Sequence, residues 1–294
     1  LPTRRQRQMC IRDRSRMNNS IDTSIFLKKL RSLKIKNSDI WINEALFGFH
    51  HIKEYCKKLE GNNKVLEIGS GSGILLNLLS ENFKDIIFEG IEPFGEGFSS
   101  LNYLNSFSRE NGVSIKNIGY EELSSNNKYD LIFCINVFEH LNDWRNFLEK
   151  ISFLLNGNGK LIVLCPNYGF PYESHFRIPV IFNKKITYYI FKKLIRIFEN
   201  KNDCVGLWNS LNFVKKREIM NHLKDSKYSK NLQIIDHLLI LDFMVNRIIN
   251  DKEFRKRQRL IGIIAIALKG LGLLNIIKIF PNFIPYMKLE FSRK

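Results

Sequence analysis

Val65-Leu66-Glu67-Ile68-Gly69-Ser70-Gly71-Ser72-Gly73 is the stretch on which the fold of this chain turns. Lys64 to Ile68 is a short apolar run, and Ile74-Leu75-Leu76-Asn77-Leu78-Leu79 is the apolar face of a helix. The glycines between them therefore fill a tight strand-to-helix turn. Glycine there permits positive φ and lets a ligand approach the backbone, while free N–H groups at the helix start favour a negative group such as a carboxylate. Strand, turn and helix together make a nucleotide-type cradle.

Two cofactor classes compete for it. A dinucleotide fingerprint places its third glycine or alanine three positions after the second. That position here is Ile74, and the spacing found is Gly-x-Gly-x-Gly with Glu67 two residues ahead of it. A second strand, Ile86 to Ile91, ends at Glu92, where a carboxylate can bind both ribose hydroxyls in either class.

The following segments separate the two. Gly119-Tyr120-Glu121-Glu122-Leu123 follows a third strand, and Tyr129 to Leu141 reads as a fourth strand running into the loop Asn136-Val137-Phe138-Glu139-His140-Leu141. A helix from about Asp143 to Leu155, a glycine turn Asn156-Gly157-Asn158-Gly159 and a fifth strand Lys160 to Cys165 complete the series. Over about residues 40 to 170 this order of motifs resembles the class I S-adenosylmethionine-dependent methyltransferases. Within them it is most similar to the ubiquinone-biosynthesis-type O-methyltransferases.

The resemblance implies an α/β fold, a Rossmann-like doubly wound sheet of about seven strands with helices on both faces. It implies S-adenosylmethionine as cofactor. Glu67, Gly69, Ser70, Gly71 and Gly73 would hold the methionine end, and Glu92 with Pro93 the ribose. Tyr120 and Glu121 would edge the adenine, although Tyr120 reads equally as packing and Glu121 as a surface charge. Asn136 and Val137 would stand near the sulfonium, at the carboxyl end of the fourth strand where open α/β sheets bind ligands.

Methyl transfer from a sulfonium is an in-line displacement, so alignment and exclusion of water are the main work. A hydroxyl acceptor benefits from a base of near-neutral pKa. His140 is the first candidate and His175 the second, with Glu173 to orient it. A histidine at a strand-helix junction can equally cap or pack. The six histidines show no ligand spacing such as H-E-x-x-H, so no metal is expected.

The five cysteines are odd in number, widely spread and free of C-x-x-C, which points to thiols in a reducing, cytoplasmic compartment. Residues 1–16 carry six arginines and no lysine, unlike the lysine-rich remainder, and resemble translated adapter read-through. We expect a non-native extension there, with a basic arm as the alternative. The domain reading continues with an N-terminal helical segment or lid over 17–60, a cofactor-binding core over 61–170, and substrate loop, helices and remaining strands over 171–250. A helix in the first of these carries Trp41, Phe47, Phe49, His50 and His51, and either covers the pocket or packs in the core. A basic, then apolar, appendage occupies 251–294.

Charge is unevenly distributed. Of the net +17, residues 17–175 contribute −3 and residues 176–294 contribute +15, which implies an anionic partner for the C-terminal part. Lys252, Arg255, Lys256, Arg257 and Arg259 precede an apolar run from Leu260 to Phe280, a pattern that fits an anionic membrane surface or helices packed on the domain. Lys269, Asn275, Lys278 and three glycines argue against a spanning segment. No RNA-binding motif or basic-aromatic platform is present, which disfavours nucleic acid. The acceptor side is thus left as a small molecule, lipid or glycan precursor. The proline-rich stretch Cys165 to Pro179 is expected to be an ordered loop forming a substrate wall. A nicotinamide-dependent oxidoreductase and a noncatalytic lipid- or protein-binding module are the competing functions.

Overall fold

The computed structural model describes residues 24–35, 38–95, 98, 101–224, 232–280 and 284–293. The arginine-rich extension lies outside them. Seven strands form one sheet: β1 (Lys64–Ile68), β2 (Ile87–Ile91), β3 (Ser114–Lys116), β4 (Tyr129–Ile135), β5 (Leu155–Pro166), β8 (Leu232–Leu239) and β9 (Tyr286–Arg293). A separate two-stranded ribbon pairs β6 (Tyr172–Glu173) with β7 (Ile178–Pro179). The sheet order is β3-β2-β1-β4-β5-β9-β8, parallel through β5 and antiparallel at β9 and β8.

The central strands are buried on both faces, which explains their nearly unbroken apolar runs. Their period of two sorts them. Val65, Leu131, Phe133, Ile162 and Leu164 face one core with α1 (Ile25–Ser32), α2 (Ser38–Cys56) and α3 (Ile74–Asn82). Leu66, Ile132, Cys134, Leu161 and Val163 face the other, built on Phe147, Leu148 and Ile151 of α5 (Trp144–Leu154). Between β2 and β3 runs α4 (Asn102–Glu110). Phe133 and Phe147 are fully buried, and truncating either to alanine would cost roughly 3–5 kcal/mol. Asp143 caps α5, its Oδ1 accepting from the N–H groups of Arg145 and Asn146 at 3.0 and 3.1 Å.

Three expectations are corrected. Residues 156–159 do not close a turn ahead of β5; the strand already begins at Leu155, paired with Tyr129, and the glycines lie in an irregular stretch before Lys160 pairs with Leu131. The Cys165 to Pro179 segment is not loop throughout, since it contains β6 and β7. The remaining strands do not both fall in 171–250: β9 comes from the far end of the chain, is inserted between β5 and β8, and buries Leu289 and Phe291 completely.

The rest of the described chain is mainly helical. After β7 come α6 (Lys184–Asn202), α7 (Leu207–Ser210) and α8 (Lys216–Lys224), with Phe176, Ile195, Trp208 and Leu211 forming a core of their own. Between β8 and β9 lie α9 (Leu241–Asn250), α10 (Lys252–Gly270) and α11 (Leu274–Lys278). Ala265 and Leu268 of α10 pack with Val245 and Leu274, whereas Ile263, Leu271, Ile276 and Ile279 are exposed. Among the described residues no helix is long and apolar enough to cross a membrane.

Candidate active site

The cradle forms where β1 ends. Gly69 and Gly73 have φ of 71° and 70°, in the left-handed region that disfavours side chains. A Cβ on Gly69 would stand 2.3 Å from Val137 Cγ2, and one on Gly73 would stand 2.6 Å from Ile115 Cδ1. Both conformation and space therefore demand glycine. The turn is pinned from several sides: the N–H groups of Gly69 and Ser70 donate to Ile91 O, Asn105 Nδ2 donates to Gly71 O at 2.8 Å, and Ser108 Oγ donates to Ser72 O at 2.7 Å.

Two acids line it. Glu92 accepts from Gly71 N–H through Oε2 (2.8 Å) and from Phe94 N–H through Oε1 (3.1 Å), so it braces the turn while each oxygen keeps further acceptor capacity. Its pKa is raised, by burial above all and against those two bonds. Glu67 is buried, and its Oε2 has no hydrogen-bond partner among the described residues. Burial, then the Glu92 charge, hold the Glu67 pKa well above the usual carboxylate range. An unpaired buried acceptor is costly unless a ligand satisfies it. A cationic amino group is the chemistry that suits this one.

The flanking residues are placed unevenly. Asn136 follows β4 at φ 55°, its Oδ1 accepting from the Tyr286 hydroxyl at 2.5 Å, and Val137 lies directly over Gly69. Pro93 and Glu121 are exposed. Tyr120 is buried, edge-on to Phe147 at 5.1 Å, and its hydroxyl donates to Asp143 O at 3.4 Å. Packing thus accounts for much of Tyr120. In α2, His51 is a core residue against Phe47 and Phe243, its pKa lowered to about 3 mainly by burial.

A second group of side chains meets beyond the end of β4. His140 Nδ1 stands 2.8 Å from Ser210 Oγ. The one Ser210 hydroxyl proton goes to Leu207 O at 2.8 Å, so Oγ accepts from Nδ1–H and His140 Nε2 keeps its lone pair. Burial, then the positive charges of His175 and Lys184, lower the His140 pKa well below that of free imidazole. His175 is the opposite case. Its burial favours the neutral form, but Glu173 outweighs that and raises the pKa to about 9. Glu173 Oε1 accepts from His175 Nδ1 at 2.6 Å, from His175 N–H at 3.1 Å and from the Tyr168 hydroxyl at 3.2 Å, while Oε2 accepts from Phe176 N–H at 2.5 Å. The two imidazole rings are 5.4 Å apart, edge to face. A neutral histidine thus faces a cationic one.

Glu139 lies beneath them. It is fully buried, neither oxygen has a hydrogen-bond partner among the described residues, and burial raises its pKa to about 7. Ligand atoms of Glu139, His140 and His175 all lie within 4.8 Å of one another, a set that could hold a metal ion. The histidine spacing used to exclude metal does not show this set, because two of its members are adjacent and the third is 35 residues away. Ser210 and Asn212 were missed altogether. Asn212 donates to Phe138 O and Leu141 O at 2.8 and 3.0 Å and ties α7 to the β4 loop, and no local pattern marks either residue. Glu139, by contrast, stands within the contiguous Asn136 to Leu141 stretch that ends the fourth strand.

Residues 41–202 match the family model described as a methyltransferase domain. This chain is a class I S-adenosylmethionine-dependent methyltransferase. Among relatives of this methyltransferase, an uncharacterised protein of Mycobacterium tuberculosis is 31% identical over 232 residues, 77% of each chain. The ubiquinone biosynthesis O-methyltransferase of Rickettsia canadensis is 23% identical over 160 residues, 49% of this chain and 65% of that one. Of solved structures, the cyclopropane synthase MmaA2 of M. tuberculosis superposes with a TM-score of 0.51 at 13% identity, covering 83% of both chains. The geranyl diphosphate C-methyltransferase of Streptomyces coelicolor, solved with Mg2+, geranyl diphosphate and S-adenosyl-L-homocysteine, gives 0.51 at 11% identity, covering 84% of this chain and 78% of that one. These structural likenesses establish the fold. The nicotinamide alternative falls with the family match.

Proposed function

We propose that this methyltransferase transfers a methyl group to a hydroxyl of a small-molecule, lipid or glycan-precursor acceptor, with His140 as general base. The observation that carries this reading is the pairing of a neutral His140, its Nε2 lone pair free, with a cationic His175 beside the loop that covers Gly69. Bound S-adenosylmethionine supplies an electrophilic methyl on a sulfonium that departs as a neutral thioether. Glu67 would take its ammonium, Glu92 its ribose, and the glycine turn would admit its carboxylate to the N–H groups of the helix start. Ser70, Pro93, Tyr120, Glu121, Asn136 and Val137 would border it. On the acceptor side, His140 Nε2 would take the hydroxyl proton as that oxygen attacks the methyl carbon, with the thioether as the leaving group. The His175 imidazolium, held by Glu173, stabilises the charge that develops on that oxygen.

A second reading is favoured by the Glu139, His140 and His175 set: a divalent cation held there would lower the pKa of a coordinated hydroxyl and take over the role of the base. Labelled-methyl transfer to lipid, glycan-precursor and RNA fractions, run with and without a chelator, tests both. Transfer to the RNA fraction alone would refute the acceptor class, and loss on chelation would favour the metal. The exposed apolar side chains of α10 and α11, after the basic start of α10, support peripheral contact with an anionic membrane at its cytoplasmic face.

A further inference from the structure

The 19 residues of α6 present two unlike faces. Thr187 and Ile195 are buried, and Phe191 and Phe198 pack partly, against the core of Phe176 and Trp208. Ile186, Ile190, Leu194 and Ile197 follow one another at helical spacing on the other face and are 40–56% exposed, with Tyr189 and, just ahead of the helix, Phe182 exposed by 86% and 87%. A run of large apolar side chains along about 17 Å of helix exceeds the scattered exposure of an ordinary surface. Lys185, Lys192, Lys193, Arg196 and Lys201 are exposed on the same helix, and its single acid, Glu199, is buried with Oε1 accepting from Trp208 N–H at 2.9 Å.

We propose that α6 is a membrane-docking helix that seats its Ile186–Ile197 stripe in the interface of an anionic bilayer. The chemistry selects that occupant. Isoleucine, leucine and tyrosine match the acyl and headgroup boundary, and cations without a competing exposed acid match anionic headgroups. A second copy of the chain would bring like-charged faces together. The helix is also tied to the acceptor side: Lys184 Nζ donates to Asn209 O and Leu211 O, and the buried face of α6 packs on Phe176 and Trp208, neighbours in sequence of His175 and Ser210. Docking through α6 therefore brings the segments that carry His175 and Ser210 to the membrane and points to an amphiphilic acceptor dissolved in it. That last step rests on the proposed function, whereas the docking does not.

Co-sedimentation of the full chain with phosphatidylcholine vesicles, with and without phosphatidylglycerol, tests the docking. Binding is expected only with the anionic lipid. Lys192→Ser/Lys193→Ser/Arg196→Ser should lower partitioning roughly a hundredfold, at about fivefold per cation near an anionic surface. Ile190→Glu/Leu194→Glu should lower it at least as far, leaving only what α10 and α11 contribute. Donor binding by titration calorimetry should be unchanged in both, which shows that they fold. Ile276→Glu/Ile279→Glu separates this surface from α11 and should retain α6-dependent binding. Vesicle binding by both α6 variants equal to that of the unaltered chain would overturn the proposal, as would loss confined to the α11 variant. No vesicle binding, or a self-association in sedimentation equilibrium that the α6 variants disrupt in place of vesicle binding, would overturn it in favour of another occupant. Failure of methyl transfer with vesicle binding intact would refute the acceptor reading and leave the docking standing.

Discussion

The proposed donor cradle and the proposed acceptor cluster lie at neighbouring ends of β1 and β4 and are built in opposite ways. The cradle is one continuous turn whose backbone conformation does the work, with Gly69 and Gly73 held at positive φ and braced by Glu92. The acceptor cluster is assembled from side chains of distant segments: Glu139 and His140 after β4, Glu173 and His175 at and after β6, and Ser210 on α7. A local site is pinned by its own hydrogen bonds. An assembled site depends on the packing of Phe176, Ile195 and Trp208 that brings its parts together.

The largest effect should come from the assembled site. His140→Ala is expected to lower turnover about 100- to 10,000-fold and leave donor affinity within about twofold, because it deletes the proposed proton acceptor, which lies outside the cradle. Single-turnover labelled-methyl transfer and calorimetric titration with S-adenosylmethionine measure the two quantities. Unchanged turnover would remove the base assignment and erase the functional side of the comparison.

Gly69→Ala tests the cradle in the same terms. The left-handed conformation costs a non-glycine residue roughly 1–2 kcal/mol, and the 2.3 Å approach to Val137 adds a comparable overpacking cost. Chemical denaturation should show a loss of about 2–4 kcal/mol, with donor affinity falling as well. A stable variant with intact donor binding would mean that the turn relaxes freely, contrary to the bracing described above.

These two variants also explain what could be read from the sequence. The cradle was legible because its residues are contiguous and glycine spacing encodes backbone geometry directly. Parallel strands buried on both faces write their own signature, as Leu131 to Ile135 does. The acceptor cluster was legible only at its contiguous member, Glu139-His140, and at Glu173 and His175, two residues apart. Ser210 and Asn212 could not be read, because their roles arise only when α7 packs against the β4 loop. The strand β9 was hidden for a related reason: Met287, Leu289 and Phe291 alternate with polar residues over a short run beyond a long helical segment, and only pairing with β5 and β8 reveals their burial.

The third test uses charge. His175 has its folded-state pKa raised from 6.5 to about 9, so it contributes stability that is fully present below pH 6.5 and lost as pH rises through 9. The full span is worth about 3 kcal/mol at most. Denaturation midpoints between pH 6 and 10 should fall accordingly in the unaltered protein. Glu173→Gln should flatten that slope and shift the upper limb of the activity profile downward. An unchanged slope in the variant would show that His175 is not held charged by Glu173.

The smallest effects compare the two orphaned acids directly. Glu67 and Glu139 are both buried with unpaired oxygens and raised pKa values, so each costs stability once pH passes its unfolded pKa and ionisation is forced. Replacing either with glutamine should raise stability at pH 8 relative to pH 5, for Glu139 by about 2 kcal/mol, because the amide carries no charge to desolvate. Function should then divide them. Glu67→Gln should weaken S-adenosylmethionine binding, since the ammonium loses its carboxylate, whereas Glu139→Gln should leave donor affinity unchanged and lower turnover. If both variants gained stability and kept full donor affinity and turnover, the orphaned oxygens would be packing defects rather than ligand sites. If Glu139→Gln also abolished a chelator-sensitive activity, the carboxylate would be holding a cation, and the two ends of the site would differ in what they bind as well as in how they are built.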